Sequence, residues 1–112
     1  MTPPVTIARD SGAPGTIAFE LTGPAELHVT GALTFRTARR AAAEGERCLA
    51  AAGAQELQID CAGVQAADSA GLAVLIDWVA SARRQGRRLH FIHLPPAIAA
   101  VAAISEVEHL LT

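Results

Sequence analysis

The chain is expected to be an α/β domain: a mostly parallel sheet of four to five strands, opened by an N-terminal hairpin and packed by helices. Three observations predict this. Two alternating apolar–polar runs lie close together near the start, separated by a turn signal. After them, helix-period and strand-period segments alternate. Finally, 51% of the 112 residues are apolar but only 4% are aromatic. Such a chain can bury a core, built from aliphatic side chains and closely approaching helices.

Residues 1–15 hold prolines, glycines and few strong apolar anchors. They are expected to form a loose lead-in with a short strand at Val5–Ala8, ahead of a single domain over residues 16–112. Thr16–Leu21 alternates as a strand, Thr22-Gly23-Pro24 is a turn signal, and Glu26–Thr30 alternates again with Leu27 and Val29 on one face. Gly31–Thr34 leads to a helix from about Phe35 to Ala52, with Gly53 as its stop. Arg36, Arg39, Arg40, Ala43 and Arg47 fall on one side of that helix and read as a solvated face. Ala38, Ala41, Ala42, Gly45, Cys48, Leu49 and Ala52 fall on the other, small enough to lie close against a sheet.

Glu56–Cys61 follows as a strand, then a loop to Ala67, then a long apolar helix from Leu72 to Arg84 that Gly86 ends. Arg88–Leu94 is the next strand, Pro95-Pro96 opens a helix through Ala103, and Glu106–Leu111 is a last short turn or helix.

The stretch Asp68-Ser69-Ala70-Gly71-Leu72 is the most informative. A serine between strand and helix reads as the N-cap of the helix, at an end where negative charge is welcome. Asp68 precedes it and braces the loop. Ser69 is therefore the candidate regulatory or docking residue. On a helical wheel, Leu72, Leu75, Ile76 and Val79 form the sheet-facing stripe. Ala70, Val74, Asp77 and Ser81 fall opposite, with Trp78 at their flank. Tryptophan is enriched in interfaces, so Asp68, Ser69, Ala70, Val74, Asp77, Trp78 and Ser81 make the candidate partner surface. The alternative for Trp78 is ordinary core beneath a neighbouring helix.

Other chemistry is sparse. The net charge of −2, with all nine basic residues arginine, gives no reason to expect nucleic acid. Cys48 and Cys61 read as buried free thiols. His90 and His93, three apart in a strand, are expected on opposite faces and off any zinc spacing, so no metal and no cofactor are expected. Ser69 lacks the Gly-x-Ser-x-Gly elbow of a hydrolase, and no catalytic residue is assigned. The start has no basic-then-apolar leader and no stretch is long enough to span a bilayer, so a soluble, cytoplasmic protein without membrane insertion is expected.

At Asp68-Ser69-Ala70-Gly71-Leu72 the chain resembles STAS domains, the family of anti-sigma-factor antagonists and sulfate-transporter tails. Val29–Ala38 is similar to the family's strand leading into its first helix, and Leu57–Val64 to its central strand. Gly86–Phe91 and Leu94–Ile98 are similar to its last strand and proline-opened helix. Within the family, Ser69–Leu72 and Trp78 followed by Ala82–Gly86 most resemble the small standalone, MlaB-like subunit of the Mla phospholipid transporter. That resemblance implies a non-catalytic cytoplasmic subunit bound to an ABC ATPase beneath an inner-membrane permease, maintaining outer-membrane lipid asymmetry. Such subunits commonly carry threonine at the position of Ser69. Serine is the residue of the phosphorylated antagonists, so the alternative is an anti-sigma-factor antagonist whose Ser69 is phosphorylated by a kinase-like anti-sigma factor.

Overall fold

The computed structural model describes residues 5–6 and 15–104. Most of the expected lead-in over 1–15, the expected turn at 106–111 and His109 lie outside the described residues. Five strands form one sheet in the order β1 (Val5–Thr6), β2 (Ile17–Leu21), β3 (Glu26–Leu33), β4 (Glu56–Ala67) and β5 (Arg88–Ile92). Three helices complete the fold: α1 (Ala38–Ala51), α2 (Ser69–Arg84) and α3 (Pro96–Ile104). The sheet is mixed. β2 and β3 form the N-terminal hairpin and β1 joins its far side, both antiparallel, while β3, β4 and β5 run parallel.

The parallel half is built from two successive crossovers, β3–α1–β4 and β4–α2–β5, that step the same way along the sheet. Crossovers of one hand that advance in one direction put their helices on one face. That face is apolar: Ile17, Phe19, Leu27, Val29, Leu57, Ile59, Leu89 and Phe91 are buried on it. The alternate residues of the same strands, among them Glu20, His28, Gln58, Asp60 and His90, line the other face, which no described helix covers. The period-2 pattern legible in the sequence is the direct result of this one-sided layering.

β4 carries two irregularities. Between His28 and Thr30, and again between Gly31 and Ala32, β4 uses one residue more than β3. These bulges carry β4 to Ala67, six residues beyond the expected strand end, and so set where α2 begins.

α1 starts three residues later than the sequence suggests. Thr34–Thr37 forms a turn, in which the buried Thr37 hydroxyl donates to Ala32 O at 2.7 Å. Phe35 is thereby left outside the helix. At its other end the bare carbonyls of α1 meet a cation. The Arg87 guanidinium donates to Leu49 O at 2.6 Å, Ala52 O at 2.8 Å and Ala54 O at 3.0 Å. It satisfies groups that a helix end leaves unpaired and complements the helix dipole.

The expected outward placement of Val74, Trp78 and Ser81 is corrected. Trp78 is fully buried, Val74 is 4% exposed and Ser81 is 6% exposed. α2 has two covered sides, since α1 lies beside it as well as the sheet beneath. Gly45 of α1 forms the slot for the indole: a methyl group on Gly45 would collide with the Trp78 ring. The ring meets Phe19 edge-on at 5.7 Å, and Ser81 Oγ donates to Glu46 Oε2 on α1 at 2.8 Å. Trp78 therefore joins sheet, α1 and α2. The free thiols of Cys48 and Cys61 lie in the same core, where burial pushes them up to about 11 and about 12.

Truncating Trp78 to alanine should cost about 3–5 kcal/mol, as large buried aromatics do. Gly45→Ala should cost about 1–3 kcal/mol by overpacking. Urea denaturation of both variants checks this. A Trp78→Ala midpoint within error of wild type would put the ring outside the core.

Candidate functional site

The motif sits where β4 ends and α2 begins, at the same edge of the fold as the β3–α1 turn. Asp68, not Ser69, is the N-cap. Its Oδ1 accepts from the N–H groups of Ala70 at 2.9 Å and Gly71 at 3.1 Å, and its backbone is extended as a cap requires. Its Oδ2 accepts from the Phe35 N–H at 3.1 Å, and its own N–H donates to Leu33 O at 3.1 Å. One carboxylate thus closes α2 and ties it to the loop after β3. Gly71 completes the junction. A side chain there would run into the Leu33 carbonyl, so only glycine lets the first turn of α2 approach β3 this closely.

Ser69 is the first helical residue and is exposed. The capping bonds come from its neighbour, so the expected capping role of its hydroxyl is corrected. The serine is the motif residue with no structural task in the junction. Its surroundings also differ from the expected surface. The outward stripe of α2 runs Ser69, Ala73, Asp77 and Arg84, edged by the half-buried Ala70, Ile76 and Ala80. Of the seven expected partner residues, Ser69 and Asp77 are exposed, Asp68 and Ala70 are half-buried, and Val74, Trp78 and Ser81 belong to the core. Sequence reasoning missed Phe35, which is 76% exposed beside Asp68. The available signal was its position between Thr34 and Arg36, off the small-residue stripe of α1.

The three described histidines lie elsewhere, toward the open sheet face. His90 Nε2 is 3.0 Å from Glu56 Oε1, and His93 Nδ1 is 3.0 Å from Asp60 Oδ1. Glu56 and Asp60 share a face of β4, so both rings turn to the same side, against the sequence expectation. The reason is that His93 lies past the end of β5 with φ of 56°, which breaks the strand alternation. His28 joins the group at 3.6 Å from Asp60 and 3.0 Å from Glu26. Among the described residues no His, Cys, Asp or Glu group is arranged to hold a metal ion, and these three rings are engaged with carboxylates rather than with Ser69. A surface cavity of about 490 Å³, lined by Val79, Arg83 and Arg87–His90, lies at the far end of α2 from Ser69.

Two expectations follow. Asp68→Ala should cost about 1–2 kcal/mol, the loss of a helix cap, whereas Ser69→Ala should stay within about 0.5 kcal/mol of wild type, like other surface changes; chemical denaturation compares them. The second concerns acid. The Ala62 N–H, burial notwithstanding, and then the His93 ring hold the Asp60 carboxyl below its ordinary value of 3.8. A depressed carboxylate contributes stability that is complete above the unfolded value and is lost as pH falls through the folded one. Asp60→Asn should therefore flatten the loss of stability below about pH 4 relative to wild type, read as urea midpoints across that range. Parallel acid limbs would exclude Asp60 as a source.

Known proteins place this geometry. No curated protein sequence is significantly similar to the chain. Among solved structures, the anti-sigma factor antagonist SpoIIAA in its unphosphorylated form is similar in fold. The match has a TM-score of 0.59 at 12% sequence identity, and covers 83% of this chain and 98% of that one. The family model described as "Mlab, STAS domain" matches residues 17–112, the span that contains the hairpin, both crossovers and the Asp68–Leu72 junction, and the chain belongs to this MlaB-type STAS family.

Proposed function

We propose that the chain is a non-catalytic accessory subunit that docks on the ABC ATPase of a phospholipid transporter of the Mla type, and that it steadies or regulates that ATPase. In this reading it is cytoplasmic and reaches the inner membrane only through the ATPase and its permease. No helix among the described residues is long and apolar enough to cross a membrane. The observation that carries the reading is Ser69, in a chain of this family. It is exposed on the first turn of α2 with its cap supplied by Asp68, so the fold does not need its hydroxyl. The docking surface is then Asp68, Ser69, Ala70 and the small outward stripe through Ala73 to Asp77, which can approach a partner closely.

One feature favours a second reading, an anti-sigma-factor antagonist switched by a kinase-like anti-sigma factor. An exposed serine hydroxyl at a helix N-terminus is accessible to phosphoryl transfer, and the added charge would sit well on the helix end. Both readings place the contact at Ser69 and differ in the partner.

Copurification from native membranes separates them: an ABC ATPase with its permease is expected, and a soluble kinase-like protein would support the second reading instead. With the ATPase in hand, calorimetric titration should find Ser69→Ala within about 1 kcal/mol of wild type, since no buried bond is lost. Ser69→Glu should remain folded and lose about 2 kcal/mol or more, because a carboxylate must be desolvated at the contact. Equal affinity of wild type and Ser69→Glu would remove Ser69 from the interface.

A further inference from the structure

Phe35 is the large apolar side chain that the described surface leaves in water, 76% exposed in the turn between β3 and α1. A lone exposed apolar residue is ordinary; three features distinguish this one. It is held in place. Its N–H donates to Asp68 Oδ2 at 3.1 Å, and on either side of it the Thr34 N–H donates to Thr37 Oγ1 at 3.1 Å while Thr37 Oγ1 donates to Ala32 O at 2.7 Å. It is adjacent to the docking serine, because the other oxygen of the same Asp68 carboxylate caps the first turn of α2. It is followed by uncompensated positive charge. Arg40 pairs with Glu44 at 3.5 Å, but the exposed Arg36 and Arg39 have no ion pair among the described residues.

We infer that Phe35 is the apolar anchor of the docking surface, and that its partner is a protein face offering a hydrophobic socket edged by carboxylates for Arg36 and Arg39. The inference rests on the docking reading above and adds the chemistry of the contact. The hydrogen bonds of the turn fix the backbone that carries the ring, so little backbone freedom is lost on binding, one condition under which a single aromatic dominates an interface. A preformed socket rewards a single ring on a fixed backbone. An anionic bilayer rewards a broad apolar face with several inserted side chains, and the described surface has no second large apolar group beside Phe35.

The test titrates the purified, copurifying ATPase with the full-length chain, Phe35→Ala, Phe35→Leu and the double variant Arg36→Glu/Arg39→Glu, at low and moderate salt. Circular dichroism and urea midpoints confirm that each variant is folded. Vesicles of phosphatidylglycerol and phosphatidylethanolamine, and sedimentation velocity of the chain alone, run in parallel. The expected result is affinity about tenfold or more lower for Phe35→Ala, partial recovery in Phe35→Leu, and a weaker, less salt-sensitive complex for the charge-reversed variant. Wild type and Phe35→Ala binding the ATPase equally would overturn the anchor while leaving the docking reading in place. No binding of wild type to the ATPase would overturn both. Vesicle binding or self-association that depends on Phe35, with ATPase affinity unchanged, would assign the ring to a membrane or to a second copy and overturn the proposed socket.

Discussion

The Asp68 carboxylate holds backbone N–H groups from two distant segments, Phe35 on one side and Ala70 and Gly71 on the other. The first turn of a helix has donors with no partner inside the helix, and the turn after β3, held within itself by Thr34 and Thr37, leaves the Phe35 N–H to a partner from outside. By closing both with one side chain, the fold brings the β3–α1 turn and the start of α2 to the same edge. Gly71 is the counterpart of that arrangement, because the first turn can reach Leu33 only where no side chain intervenes. Asp68 and Gly71 are thus explained by structure, whereas Ser69 between them is exposed and its hydroxyl takes no part in the cap.

The second constraint is the one-sided sheet. With all its described helices on one face, the domain covers a wide apolar surface with a single helical layer. Alanine on α1 and the Gly45 slot let α1 and α2 lie close, and Trp78 fills the space where they meet the sheet. Its indole N–H and one oxygen of Glu44 find no partner among the described residues, a cost the core bears for the size of the ring. The open face is left to polar residues, where carboxylates of β3 and β4 hold three histidines. The Asp68 junction and the ion pairs of the open face therefore occupy separate parts of the molecule.

The fold is shared with a sigma-factor antagonist, and a shared fold does not by itself choose between the two readings proposed above. The distinction lies in what surrounds the serine. Here the surroundings are the hydrogen-bonded Thr34–Thr37 turn with the exposed Phe35, the exposed Arg36 and Arg39, which have no ion pair among the described residues, and the outward stripe of Ser69, Ala73 and Asp77.

Periodicity alone determined much of this protein. The hairpin, the alternation of strand and helix, the solvated arginine side of α1 and the sheet-facing stripe of Leu72, Leu75 and Val79, with the expected Ile76 only half-buried at its edge, were legible because each is a local pattern with a fixed repeat. So was the strand-to-helix junction at Asp68–Leu72, since capping side chains ahead of an apolar helical run mark a helix start. Three things were decided only by tertiary contacts. Which of two good capping residues took the cap depended on where α2 began, and that was set by the bulges of β4 and the bond from Asp68 N–H to Leu33 O. Whether Trp78 faced water or core depended on Gly45, thirty-three residues earlier in the chain. A wheel drawn for one helix has a single buried side, whereas a helix flanked by both a sheet and another helix has two. Phe35 was exposed because the local Thr37 bonds and the bond from its N–H to Asp68 held its turn outside α1, and the second of these joins segments that no window of sequence contains.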